Sequence, residues 1–73
     1  MEPLREGQRK ALSDAVGKRR RDDTLETAIG REVRRAGLSY QDYLDVMEAV
    51  RVFARKDKLD PWKAAQALLD QQQ

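Results

Sequence analysis

The chain contains no cysteine and no histidine. The first absence excludes disulfides and thiolate metal sites, and the second removes the commonest general base and transition-metal ligand. Aromatic residues amount to 5%, and there are only two prolines and four glycines among 73 residues. No apolar run approaches the roughly 18 residues that a membrane span needs, and nothing resembles a signal peptide. A cytoplasmic, soluble protein is therefore expected. A chain of this length makes one small domain, and such a domain buries only about 60% of the surface that its unfolded form exposes.

What the chain has in quantity is charge. Asp, Glu, Lys and Arg make up 38% of it, with a net charge of +2. Residues 1–35 carry ten Lys or Arg against seven acids, a balance of +3, and residues 36–73 carry five against six, a balance of −1. The overall field is weak, so composition alone does not select nucleic acid as the partner.

Apolar spacing and punctuation predict an all-α fold, a small bundle of four short helices near residues 8–16, 24–36, 40–55 and 61–70. A loose arm is expected over 1–7 and a polar tail over 71–73. Ala11, Leu12, Ala15 and Val16 give the first helix its period, but it is short and marginal by itself. The second helix has Asp23 in position to cap it, Glu26 to close a capping box, and a stripe of Leu25, Ala28, Ile29, Val33 and Ala36. Gly30 inside that helix suggests close packing or tolerated weakness, and Gly37 supplies a left-handed stop. Ser39 with Asp42 starts the third helix, and Leu38 with Tyr43 fits a hydrophobic staple. Its face of Tyr43, Val46, Met47, Val50, Phe53 and Ala54, widened by Leu44, Ala49 and Val52, makes it the expected central element. Asp60-Pro61 opens the fourth helix, where Trp62 is the expected core plug and Ala65 and Leu69 the packing side. Helices 2, 3 and 4 are expected to form the core.

No catalytic constellation emerges. Ser13 and Ser39 have no histidine to activate them, and Ser39 is explained as a cap. Asp42, Asp45 and Glu48 share a helix face without the loop of a calcium site, and they read as acids on a solvated side near a helix N-terminus. The expectation is a non-enzyme with no cofactor and no metal.

Residues 33–46 resemble the turn of a helix-turn-helix. Gly37, Leu38, Ser39, Tyr43 and Val46 match its places, while Val33 stands where a small alanine is usual and Glu32 where an apolar residue is. In that motif the front of the second helix enters the major groove. Here that front offers Tyr40, Gln41, Asp42, Leu44, Asp45 and Glu48, with no cation before Arg51, and cation contacts supply most DNA affinity. The segment reads as a helix-turn-helix-like corner without a DNA-reading helix, better suited to protein.

The run GKRRRDD at residues 17–23 reads as a hinge between helices that also offers positive surface. Lys18, Arg19, Arg20 and Arg21, joined by Arg31, Arg34 and Arg35, are expected to form one patch. Tyr and Arg are enriched in interface hot spots, so Tyr40 and Arg51 complete the candidate partner-binding set. A tiny, cysteine-free, arginine-rich helical chain without catalytic equipment resembles, as a kind of protein, the small regulators of lytic bacteriophages that bind host RNA polymerase. That resemblance implies a protein partner such as a polymerase subunit or the sigma factor, inhibited initiation or altered termination, and action in the host cytoplasm. It transfers no residue. The alternative is a small DNA- or RNA-binding protein using residues 18–21 and the second helix. No membrane partner is expected, and the chain is expected to be a monomer or weak homodimer.

Overall fold

Four α-helices follow one another through short connections: α1 (Glu6–Gly17), α2 (Leu25–Arg35), α3 (Tyr40–Asp57) and α4 (Pro61–Gln71). The computed structural model describes residues 3–72, and no strand occurs among them. The fold is thus all-α, as the apolar spacing predicts.

Several helix ends have a local chemical cause. At the start of α3 the Ser39 hydroxyl accepts from the Asp42 N–H at 3.2 Å, and the Asp42 carboxylate accepts from the Ser39 N–H at 3.0 Å, closing a capping box. At α4 the Asp60 carboxylate accepts from the Lys63 N–H at 3.1 Å, and Pro61 follows at the first helical position. The end of α2 is a Schellman turn, with Leu38 N–H on the Val33 carbonyl and Gly37 N–H on the Arg34 carbonyl. Gly37 has φ +72°, a region where a side chain would be strained. The end of α3 is similar in design, with Leu59 N–H on the Ala54 carbonyl, but Lys58 rather than glycine takes the positive φ of 55°.

The cap of α2 departs from expectation. Thr24, not Asp23, is the N-cap, and its hydroxyl accepts from the Thr27 N–H at 3.1 Å. The Asp23 carboxylate is already engaged by Arg31 and by the Arg20 N–H, so it has no lone pair aimed at the helix. Moving the cap by one residue leaves Glu26 out of box register, and it faces outward.

The core draws on all four helices rather than on three. Its fully buried large side chains are Leu12 of α1, Ile29 of α2, Val46 and Val50 of α3, and Leu68 of α4. Helix α1 is marginal as an isolated segment, yet Ala11, Leu12 and Ala15 are buried against the rest, and tertiary burial supplies what local propensity lacks. Small side chains on α1 and α4, Ala15, Ala64 and Ala65 among them, let the helices approach closely. Trp62 is only partly buried at the edge of this core, so it is not the plug. Its ring is instead covered by the Arg19 guanidinium, 4.4 Å from the centroid, a cation–π contact between the α1–α2 connector and α4.

The expected arm and tail are also tied down where they are described. Helix α1 begins at Glu6, inside the expected arm, and the Leu4 N–H donates to the Gln72 side chain at 2.9 Å. Residues 1, 2 and 73 lie outside the described residues. Leu12→Ala is expected to lower stability by about 2–5 kcal/mol. Urea unfolding of that variant against the parent chain checks the place of α1 in the core.

Candidate functional site

One carboxylate ties the cap of α3 to the start of α1. Asp42 accepts from the Ser39 N–H and hydroxyl on one oxygen, each at 3.0 Å. On the other oxygen it accepts from Gln8 Nε2 at 2.9 Å and from the Arg5 guanidinium. Gln8, itself buried, also accepts from the Arg5 N–H at 3.0 Å and donates to Asp45 at 3.3 Å. The Ser39 backbone N–H, then the Gln8 amide, hold the Asp42 carboxyl down at about 2, against an ordinary value of 3.8. Asp42 is therefore not an acid on a solvated face, as its spacing with Asp45 and Glu48 suggests. It is buried between α3 and the start of α1. The three carboxylates do not gather into a metal-holding group among the described residues.

The first turn of α3 lies beside α2. Between them lies a groove of about 780 Å³ with arginines on the α2 side and Tyr40 and Tyr43 on the α3 side. The tyrosine rings stack with centroids 5.7 Å apart and an interplanar angle of 21°. The Tyr43 ring lies against α2 at Gly30, where a Cβ would meet ring carbons at 3.7 and 4.0 Å, ordinary contact distances, so the ring does not require the glycine. Tyr40 is 73% exposed, which leaves the outer ring face open.

The arginines differ in freedom. Arg31 is clamped by Asp23, NH1 to Oδ1 at 3.2 Å and NH2 to Oδ2 at 2.7 Å, a two-point fork across the connector. The Arg31 fork, followed by the Arg20 N–H, brings the Asp23 carboxyl to about 2, and Asp23 in turn raises the pKa of Arg31. Arg35 lies 3.7 Å from the Glu32 carboxylate. Arg34 is exposed and makes no ion pair among the described residues.

The expected single basic patch is thus divided. Arg31, Arg34, Arg35 and Tyr40 come together in the groove, whereas Lys18, Arg19, Arg20 and Arg21 are not among its lining residues. They belong to the connector, where Arg19 covers Trp62 and the Arg20 N–H donates to Asp23 at 2.7 Å. The connector is accordingly a turn fixed at several points rather than a plain hinge. Arg51 is exposed further along α3, outside the groove.

Sequence reasoning overlooked Glu26, Thr27, Gly30 and Tyr43 as groove residues, and Asp23 as the anchor of Arg31. An eight-residue spacing that crosses a helix start gives no periodic signal for that pair. Glu32 did leave one, because a carboxylate stands at a stripe position, one turn after Ala28. Comparison of the chain with protein-family models, with curated proteins and with solved structures finds no match. Among the described residues no helix is long and apolar enough to cross a membrane.

Two outcomes follow from this geometry. Asp23 and Asp42 have folded-state pKa values below the ordinary one, so their contribution is present above about pH 4 and is lost as pH falls through about 2. Asp42→Asn is expected to be less stable at neutral pH and to show a shallower decline between pH 4 and 2, read from urea midpoints across that range. Gly30→Ala is expected to stabilise α2 by about 1 kcal/mol, because the added methyl finds room and the helix loses a glycine. A thermal melt reads that gain.

Proposed function

We propose that the chain is a non-enzymatic regulator that works by binding a protein, and that it grips an acidic segment of its partner in the groove between α2 and α3. The observation that carries this reading is the meeting of Arg31, Arg34 and Arg35 with a stacked tyrosine pair in one open groove. Tyr and Arg are among the residue types enriched in interface hot spots, and both combine apolar area with polar ends. A tyrosine as exposed as Tyr40 has little to gain from its position in the free chain, and a partner would bury it. A cationic wall next to that ring favours carboxylates on the other side and speeds their encounter.

Transcription machinery is the partner class we put forward, an RNA polymerase subunit or the sigma factor, with inhibited initiation or altered termination as the result. This part rests on the resemblance to small phage regulators. The second reading is a nucleic-acid-binding protein. In its favour, Lys18, Arg20 and Arg21 are exposed on a connector whose shape is fixed by Asp23 and Trp62. Against it stand Asp22 and Asp23 in the same turn and the acids at the front of α3.

Reversal of both exposed groove arginines, Arg34→Glu with Arg35→Glu, is expected to weaken binding to purified bacterial RNA polymerase by about 30-fold or more, the loss of one hot spot or better. The double variant is expected to lower the urea midpoint, because Arg35→Glu sets a second carboxylate beside buried Glu32. Arg34→Glu alone breaks no ion pair among the described residues, so its midpoint should stay near that of the parent chain while binding is still weakened. Undiminished affinity would sink the groove. Neutralising residues 18–21 gives the other arm: a binding loss that appears only with DNA or RNA, and that flattens the salt dependence, favours the second reading.

A further inference from the structure

Glu32 lies on the core stripe of α2 with Leu25, Ala28, Ile29 and Val33, where an apolar residue would close the core. It is 3% exposed, and its Oε2 receives no hydrogen bond from any described group. A buried carboxylate in that condition is costly to the fold. Its nearest cations are both groove residues: Arg31 Nε at 3.5 Å and Arg35 NH1 at 3.7 Å. These are ion-pair distances without hydrogen-bond alignment. Asp23 already fixes Arg31, so the guanidinium that depends on Glu32 is that of Arg35, which has no other ion-pair partner among the described residues.

We propose that Glu32 is a positioning residue, a counter-charge on the core side of α2, outside the groove lining, that holds the Arg35 guanidinium beside the clamped Arg31 at the edge of the groove. Arg31, Arg34 and Arg35 crowd three positive charges into little more than one turn of α2, and without a negative charge near them they repel each other into solvent. With Glu32 in place, the Arg35 guanidinium, whose side chain is 56% exposed, stands ready as a donor for the Asp or Glu side chains of an acidic protein segment. It does so next to Arg34, which makes no ion pair among the described residues. The ordering of a long side chain is then completed during folding and no longer subtracts from binding. The inference rests on the groove reading for its ligand, but the ordering of Arg35 is a property of the free chain.

The test uses Glu32→Gln and Glu32→Met in the full chain. Three readouts are compared: 15N relaxation of the Arg31 and Arg35 Nε–H groups without ligand, the melting temperature, and binding of a fluorescein-labelled Asp/Glu-rich peptide. Both variants are expected to fold, with the melting temperature unchanged for Gln and raised by about 4–8 °C for Met. Arg35 should become mobile while Arg31 stays ordered, and peptide affinity should fall by about 2- to 10-fold, the ordering cost of one flexible side chain. Arg35 remaining ordered in both variants would overturn the proposal, and so would failure of both to fold, which would make Glu32 a structural charge. If Arg35 loosens but the parent chain itself does not bind the peptide, the positioning role stands and the acidic-segment reading of the groove fails.

Discussion

The carboxylate of Asp42 is the polar joint that seats the start of α3 against the start of α1. It closes the cap of α3 through Ser39, and through Gln8 and Arg5 it binds the start of α1 to the same place. A cap alone would start a helix without orienting it. A cap that also holds a second helix fixes where α3 begins relative to α1, and the Schellman turn at Gly37 fixes where α2 ends. Tyr40 and Tyr43 sit in the first turn after that junction, so their placement beside α2 follows from a polar network on the opposite side of the same turn. In so small a core, apolar burial stabilises the bundle but leaves helix directions loosely specified, and directional hydrogen bonds supply the specification.

Charge in this chain works mostly as geometry. The net excess is small, but individual pairs are placed at joints. Asp23 secures Arg31 across the α1–α2 connector, and Glu32 lies beside Arg35. Of the groove cations, only Arg34 makes no ion pair among the described residues. The proposed acidic partner segment would use this placement of few, fixed guanidiniums beside stacked rings, whereas a nucleic-acid surface would draw its affinity from many phosphate contacts.

Features governed by residues three or four apart were legible in the sequence. The Ser39 box, the Asp60-Pro61 start, the Gly37 stop and the four helices themselves all follow from local chemistry and apolar period. Tyr40 was legible as exposed because it takes the first helical position after the Ser39 cap. What the sequence did not disclose depends on partners distant in the chain. Asp23 looks like a cap until Arg31 is known to reach it, and Asp42 looks solvated until Gln8 covers it. Trp62 looks like core by its type, yet its neighbour is a cation from the connector. Helix α1 reads as marginal because its stability comes from α2 and α4, which a local reading cannot count. The candidate partner-binding set was legible by residue type, since Arg and Tyr stand out, but its division between groove, connector and the far part of α3 required the fold.

The Arg19–Trp62 contact gives the molecule an optical property of its own. The chain has a single tryptophan, and its ring lies at the seam where the connector meets α4 rather than at the centre of the core. Its fluorescence therefore reports the docking of the connector, while far-ultraviolet circular dichroism reports the helices. A local opening of residues 18–24 would alter emission while the helices remain intact. The protein thus carries an intrinsic label for the segment that links its basic run to its fold.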